Sequence, residues 1–467
     1  MKMRSRIISA AFFLCLFATG CKKDVDLKPT DSVTEEVAFN SVAALQKGLN
    51  TAYATYAVAR ADRSFATSIT SDETKFGPDN GGTGQFGYRL QYSADATTGG
   101  DVTTGWAAYY AVIDRVNRVL DRLPEIPANG SAEVAQKNAI NGQLLALRGM
   151  AHFELLEAYS KKYDPADPLG VMIMTRSCLT CFPARSTVAE VVSRVEQDLA
   201  DAKTLMPAVT ASGYNDLALN PVSVTAIQAR VALYKGEWQK AADYATTVIN
   251  SGVKTLATGS GFNGIWTDAN TNELLFRSRF ENSSQLGANW TNTNGSVIFS
   301  PSDKLTASYS ASDIRLNAYI GTSAGERYVK KFSTSSRGGS IVDLKNIRIS
   351  EMYLIRAEAK AELNDLAGAV ADINTLRAAR IAGYTPITYA DKATAVADIM
   401  LERFRELAFE GFRFFDLKRK GLGLQRNASD VDSPLWQTLA ASDKRFVYPI
   451  PADELLANPN VRQNAGY

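Results

Sequence analysis

Apolar residues recur at spacings of three and four over most of the chain, the pattern of helices that bury one face. The first such stretch runs from Val37 to Tyr56 and includes Leu45 and Leu49. The same spacing predicts helices over residues 106–123, 131–159, 188–205, 226–234, 238–249, 349–363, 366–381 and 396–417. The fold is therefore predicted to be mainly α-helical.

Local signals mark where two of these helices begin. Thr187 followed by Glu190 is typical of a capping box, in which the two side chains satisfy free backbone N–H groups. Asn220 before Pro221 places a capping residue next to a proline suited to the first helical turn. Both features predict helix starts at these positions.

Two long stretches lack this periodicity. Residues 72–103 and 252–344 are rich in Gly, Asn, Asp, Ser and Thr, and their apolar runs are short. We therefore expect loop-rich excursions with a few short strands. Long irregular segments in a compact protein are usually functional or mobile. The helical scaffold then comprises about residues 35–71, 104–251 and 345–420 of a single body over 35–467.

Two predicted helical hairpins resemble each other. The first turns at Gly236 and continues through Trp238 and Ala241; the second turns at Asn364 and continues through Leu366 and Ala369. A turn residue, a bulky apolar residue and then small residues suit closely packed antiparallel helices. This pattern is tetratricopeptide-like, although irregular sequence separates the two copies.

The N-terminus is predicted to be an export signal over residues 1–20. Lys2, Arg4 and Arg6 precede an apolar run that is shorter than the roughly 20 residues of a membrane-spanning helix. Small residues then lead to Cys21, which is the expected site of lipidation. Lipid on Cys21 would hold the protein on a membrane through a polar tether over 21–34.

Charge and reactive residues exclude several classes of function. The formal net charge is +2, so no global field selects nucleic acid. Cys178 and Cys181 remain after export and are expected as a local disulfide or as two free thiols. His152 is the sole histidine, and it lies between Ala151 and Phe153 on a predicted helix. With no second histidine and no second Cys pair, neither a zinc site nor a Ser-His-Asp relay can be assembled. We predict no metal, no cofactor and no catalytic residues.

The segment from Glu402 to Arg419 is densely charged and could be mistaken for an active site. Spacings of three and four predict one buried apolar face, and Glu402/Arg405 and Glu410/Arg413 would then pair on its flanks. We interpret the segment as scaffold, and Arg148, Glu358 and Asp416 as members of an ion network between helices. The predicted buried face comprises Leu401, Phe404, Ala408, Phe412 and Phe415.

Other motif-like signals are weak. Gly82 to Gly87 fits Gly-x-Gly-x-x-Gly, but it neither follows a predicted strand nor opens a predicted helix, so a flexible loop is favoured over a dinucleotide site. The 49 acidic residues allow many carboxylate pairs of the kind glycosidases use, and nothing ranks one pair above another. A surface glycan hydrolase therefore stays an alternative function.

Motifs along the whole chain resemble those of SusD/RagB outer-membrane lipoproteins from Bacteroidetes nutrient-uptake systems. The C-terminal third carries the most specific ones. The matching stretches are 26–29, Trp106 to Asn117, Leu147 to Phe153, Arg348 to Ala359, Ile373 to Arg377, Glu402 to Arg419, Tyr448 to Pro451, Asn458 to Asn460 and Gln463 to Tyr467.

The resemblance implies a surface-exposed, lipid-anchored protein that binds a glycan and delivers it to a TonB-dependent (SusC-like) outer-membrane barrel. A peptide-binding member of the same family is the alternative. It also implies that binding residues lie in the two excursions, where aromatic rings could stack on sugar rings or could instead pin the loops. The candidates are Phe76, Phe86, Tyr88, Tyr92, Trp266, Phe280 and Trp290. Trp106 lies on a family helix and is assigned to packing.

Overall fold

A computed structural model describes residues 35–178, 180–281, 285–291, 295–338 and 341–467. The predicted export signal, the tether and Cys21 lie outside these residues. Within them, no helix is long and apolar enough to cross a membrane.

Helices dominate the described chain, as the apolar periodicity predicts. The helices are α1 (Glu35–Ala38), α2 (Val42–Ile69), α3 (Gln85–Tyr88), α4 (Ala96–Arg122), α5 (Gly130–Tyr159), α6 (Val188–Leu205), α7 (Pro221–Lys235), α8 (Trp238–Asn250), α9 (Gly259–Trp266), α10 (Gln285–Ala288), α11 (Asp303–Ala307), α12 (Ile314–Tyr319), α13 (Ile349–Glu362), α14 (Leu366–Ala378), α15 (Lys392–Glu406), α16 (Arg413–Lys420) and α17 (Ala452–Ala457).

Short strands form antiparallel pairs and build no larger sheet among the described residues. Two of these pairs join segments far apart in sequence: β1 pairs with β3, and β2 pairs with β6. β4 pairs with β5, and β7 with β8. The strands are β1 (Thr74–Phe76), β2 (Leu274–Ser278), β3 (Phe299–Pro301), β4 (Ile320–Ser323), β5 (Glu326–Val329), β6 (Leu344–Arg348), β7 (Leu424–Gln425) and β8 (Thr438–Leu439).

The two similar hairpins meet in space although about a hundred residues separate them in sequence. α7 packs against α8 and α13 against α14, while α8 also packs along α13. The small residues Ala241, Ala245 and Ala369 are buried there, which lets the helices approach closely. The tetratricopeptide-like prediction is confirmed, and the excursion 252–344 is looped out between two stacked repeats.

The predicted helix starts agree with the structure at the caps and disagree at α4. Thr187 and Glu190 form the capping box, and the Asn220 side chain caps α7. α4, however, begins at Ala96, with Asp95 accepting from the Thr97 N–H at 2.7 Å, rather than at Trp106. The Gly- and Thr-rich stretch before Trp106 hides the helix because its residues favour helix only weakly.

The single helix predicted over 396–417 is wrong. The helix is interrupted between α15 and α16. Phe409 and Gly411, in the turn that joins them, take positive φ values of 65° and 84°. Within α15, Leu401 is exposed while Glu402, Arg403 and Glu406 are buried. The predicted buried face is confirmed at Phe404, Ala408 and Phe415, and Phe412 is half-buried. The predicted placement of Leu401 inside and Glu402 on a flank is wrong.

Three apolar clusters form the core. The largest joins helices from both ends of the chain, including Trp106, Leu147 and Met352. A second lies under the excursions around Trp266, Trp290 and Phe299, and a third fills the last hairpin. The excursions thus have their own core and are tied to the scaffold.

Candidate functional site

A buried ion network occupies the junction between the scaffold and the second excursion. Arg348 donates from Nη1 to Glu406 Oε1 at 2.7 Å and from Nη2 to Glu410 Oε1 at 2.7 Å. Glu273 accepts from both Arg348 and Arg380. The remaining members are Arg315, Asp313, Glu402, Arg377 and Lys331.

The network lowers the pKa values of Glu402, Glu406 and Glu410 and so holds these three carboxylates ionised. Burial opposes the charge on Glu402, but the guanidinium groups of Arg315 and Arg377 outweigh it and lower its pKa to about 2. Glu406 likewise has a pKa well below its usual range, because Arg380, Arg348 and Arg315 surround it. Such pairs fix one arrangement of buried charges. The ion pairs of Glu402, Glu406 and Glu410 fit the interpretation of the Glu402–Arg419 segment as scaffold, although these charges are buried and do not lie on exposed flanks.

A second charged cluster links α13, α15 and α16. Arg419 donates to Glu358 through both terminal nitrogens, at 2.6 and 2.7 Å, and Arg403 Nε donates to Asp416 at 2.9 Å. Glu358 and Asp416 thus share one network, as predicted. Arg148 does not join it, since its guanidinium pairs with Asp198 at 2.8 Å.

The remaining reactive residues have structural partners. His152 is buried, with Nδ1 3.0 Å from the Arg148 carbonyl oxygen and Nε2 accepting from the Met174 N–H at 3.1 Å. Burial lowers its pKa to about 4, so the ring is neutral at physiological pH. Cys178 and Cys181 form a disulfide. In the described chain, no three His, Cys, Asp or Glu side chains gather as a metal site.

Four of the seven aromatic candidates, Tyr88, Tyr92, Trp266 and Trp290, are buried in this structure and have packing partners. Trp290 packs edge-on against Phe409, and Trp266 has the Lys331 ammonium 4.1 Å from its ring centre. Tyr88 and Tyr92 donate their hydroxyls to backbone carbonyls. These rings pin the excursions to the body, because none has a face free for a sugar.

The other three candidates, Phe76, Phe86 and Phe280, are half-buried. Phe280 is held through its backbone, which donates to Asp343 and accepts from Arg337. Phe86 lies in α3, which begins directly after Gly84, so the Gly82–Gly87 segment is a turn that opens a short helix and not the loop expected throughout. Phe76 ends β1 and packs on Tyr88, with ring centres 4.2 Å apart. Their role in binding stays a prediction.

Phe76 belongs to a surface aromatic cluster that comprises Phe76, Arg89, Asp432 and Trp436. The Arg89 guanidinium lies 5.3 Å from the centre of the Phe76 ring and 5.4 Å from that of Trp436. Asp432 accepts from Arg89 Nη2 at 2.9 Å and from the Trp436 indole N–H at 2.7 Å. Asp432 is exposed, whereas Phe76, Arg89 and Trp436 are half-buried, and Trp436 also packs against two apolar clusters of the core.

Sequence reasoning missed Trp436, Arg89 and Asp432. Trp436 lies 360 residues from Phe76 in a short turn, outside both excursions, and only the tertiary fold brings the two together. One sequence pattern could have pointed to Trp436, namely two adjacent large apolar residues, Leu435 and Trp436, in a Ser-Pro turn. The structure shows Leu435 exposed there, and an exposed apolar patch often marks an interaction site.

Together, the stacked helical hairpins and the anchored excursions define a mainly α-helical, tetratricopeptide-like class of protein. Residues 278–467 match the family described as SusD, and residues 24–233 match the one described as starch-binding associating with outer membrane. The two matches lie end to end over most of the sequence. The chain belongs to the SusD/RagB family.

Relatives and solved structures agree with this placement. SusD-like protein P38 of Formosa agariphila is 24% identical over 431 residues, covering 78% of this chain and 79% of the relative. SusD-like protein P2 of the same organism is 24% identical over 515 residues, covering 97% of this chain and 98% of the relative.

Among solved structures, a SusD superfamily protein from Bacteroides thetaiotaomicron has a TM-score of 0.80 at 24% identity, covering 91% of this chain and 99% of its own. A SusD-like carbohydrate binding protein from Bacteroides vulgatus has a TM-score of 0.77 at 23% identity, covering 91% of this chain and 98% of its own. At this identity the likeness establishes the fold, which is the mainly α-helical one predicted. The family is one of carbohydrate-binding proteins associated with the outer membrane.

Proposed function

We propose that the protein is a surface-exposed lipoprotein, anchored through Cys21, that binds a glycan at the surface aromatic cluster. It delivers the glycan to a TonB-dependent outer-membrane barrel and does no chemistry on it. The geometry of Phe76, Arg89 and Trp436 carries the proposal. Family membership and the export signal support the location and the partner.

The cluster has the groups that sugar recognition needs. Sugar rings present apolar C–H faces that pack on aromatic rings, and their hydroxyls donate to carboxylates and accept from guanidinium N–H groups. Asp432 orients both Arg89 and Trp436, so these side chains lose little freedom when a ligand binds. A partly ordered site of this kind favours binding.

A binding role without catalysis fits the charged residues that sequence reasoning singled out. Glu402, Glu406 and Glu410 are buried and bonded to arginine or lysine, which holds them as ionised, fully engaged acceptors. A general acid needs a proton near neutral pH and contact with the substrate. Glu402, with its pKa of about 2, meets neither condition.

Glycan binding is tested by calorimetric titration of the purified protein with a panel of neutral and acidic oligosaccharides. We expect at least one saturable ligand, and Trp436→Ala or Phe76→Ala should weaken its binding about tenfold or more. Phe182→Ala removes an exposed ring far from the cluster and is the matched control. Equal binding in all three variants, or binding of peptides alone, contradicts the proposal.

Anchoring and delivery need separate tests. Cys21→Ser should move the protein from the membrane fraction to the soluble fraction, because no acyl chain is attached. The wild-type protein should co-purify with its barrel from membranes, and oligosaccharide uptake should fall in cells that carry Trp436→Ala. Release of product sugars by the purified protein would argue for the hydrolase alternative.

A further inference from the structure

An open groove lies between α15 and the loop that follows α16, apart from the surface aromatic cluster. Its volume is about 690 Å³, within the range of small-ligand sites of roughly 300–1,000 Å³. The floor is apolar and largely aliphatic. It comprises Val396, Ala397, Met400, Leu401, Phe404 and Leu422.

The groove exposes leucines that a surface helix would normally bury. Leu401 is 39% exposed and Leu422 is 43% exposed, while Met400 beside them is buried. The side of α15 that carries Glu402 and Glu406 packs inward against their arginine partners, which leaves Leu401 outside. Exposed apolar surface that lines a concave groove marks an interaction site.

The rim of the groove carries an excess of positive charge. Lys392 and Lys420 share one carboxylate, Glu362, each at 2.6 Å. Lys304 and Arg413 likewise share Asp72, at 2.7 and 2.8 Å.

Four cations thus meet two carboxylates at the rim. Glu358, 3.5 Å from Lys420, is already bound by Arg419 and does not cancel the excess. A ligand with one or two acidic groups would complement this charge.

The groove does not offer the aromatic face that a sugar would need. Among the described residues that line it, Phe404 is the one aromatic residue, and its side chain is buried. The accessible floor is therefore formed by Val396, Leu401 and Leu422. Aliphatic side chains of this kind match an alkyl chain better than a hydroxylated ring.

We propose that this groove binds an anionic amphiphile, a ligand with an aliphatic body and a carboxylate. The alkyl chain lies on Leu401 and Leu422, and the carboxylate is bound by the ammonium groups of Lys392 and Lys420, which already converge on Glu362. The site is separate from the surface aromatic cluster, so the protein has two binding sites for ligands of different chemistry.

The test uses the full chain carrying Cys21→Ser, which has no acyl chains of its own to compete. Dodecanoate, below its micelle concentration, should bind saturably with one molecule per protein in calorimetry. Dodecyltrimethylammonium has the same chain and the opposite charge, and it should bind at least about tenfold more weakly.

Substitutions locate the site. Leu422→Asp should weaken dodecanoate binding about tenfold or more, because it places a negative charge beside the alkyl chain. Leu456→Asp, at a leucine that is 85% exposed and lies outside the groove, is the matched control and should bind as the parent does. Both replaced residues are surface-exposed, so each variant should unfold at the parent's temperature.

Three results would overturn the proposal. They are equal affinity for the two amphiphiles, equal dodecanoate affinity in both aspartate variants, and binding of an acidic apolar peptide in place of dodecanoate. The last would assign the groove to a protein partner.

Discussion

Arg380, in the turn after α14, donates from Nε to Oε2 of Glu406 at 3.0 Å and from Nη2 to Oε1 of the same carboxylate at 2.9 Å. Both side chains are fully buried. This two-bond contact joins the last helical hairpin to α15 at the centre of the ion network. It gives Glu406 a counter-charge, which a buried carboxylate needs to stay ionised.

Glu406→Gln should lower the free energy of unfolding by about 3–5 kcal/mol, because Arg380, Arg348 and Arg315 would lose a shared buried counter-charge. Denaturant unfolding followed by circular dichroism measures the change. Lys240→Gln is the control, since Lys240 is 59% exposed and its pair with Glu237 should contribute under about 1 kcal/mol. A loss of similar size in both variants would refute a central role for the network.

Trp290→Ala should lower the unfolding free energy by about 3–5 kcal/mol while leaving glycan affinity within about twofold. Trp290 fills the second core under the excursions and has no exposed face. Trp436→Ala should do the opposite, with a small loss of stability and a large loss of affinity. Unfolding and titration curves of both proteins measure the contrast, and a fall in affinity for Trp290→Ala in a protein that remains folded would contradict it.

Gly411→Ala should destabilise the protein more than Gly383→Ala. Both glycines have positive φ, so each alanine is strained by about 1–2 kcal/mol. At Gly411 the new Cβ would also lie 2.8 Å from Arg60 Nη1 and 3.0 Å from Ser64 Cα, whereas nothing lies within 4 Å at Gly383.

The crowding at Gly411 should add about 1–3 kcal/mol, measured as the difference in unfolding free energy between the two variants. Equal losses would show that the contact between α2 and the helix break is adaptable.

His152 should make the protein less stable as pH falls from about 6.5 to about 4. Burial lowers the folded-state pKa to about 4, so in this range the unfolded chain binds a proton that the folded chain does not. The stability is complete above the unfolded pKa, and about 3 kcal/mol is lost by pH 4.

The measurement compares the pH dependence of unfolding of the parent and of His152→Gln, which cancels the titration of carboxylates common to both. The parent curve should be steeper between pH 4 and 6.5. Parallel curves would mean that His152 is protonated in the folded protein.

Periodicity alone locates most helices of the scaffold. α6 begins and ends where its capping box and apolar spacing predict, and the α7–α8 and α13–α14 hairpins turn at the predicted residues. These features are local, so a few neighbouring residues determine them. The stacking of α8 on α13 is not local, and no feature of either hairpin by itself predicts it.

The candidate site was predicted less well. Phe76 is the one predicted aromatic that lies in the surface cluster, whereas Trp290 and Trp266, the larger rings, are core residues. Aromatic residues in an irregular segment can pack inward or face outward, and composition does not distinguish the two. Trp436 was missed because its partners come from the other end of the chain.

The sequence by itself determined that this protein is a helical repeat scaffold with two inserted excursions, because helix period, caps and turns depend on residues close in sequence. Tertiary structure alone decided which charges are buried and which aromatic rings face solvent. Glu402 is buried and Leu401 is exposed, the reverse of the predicted partition, because Arg315 and Arg377 pack on the Glu402 side of α15. Burial is a property of the neighbours that a residue meets, and those neighbours come from distant parts of the chain.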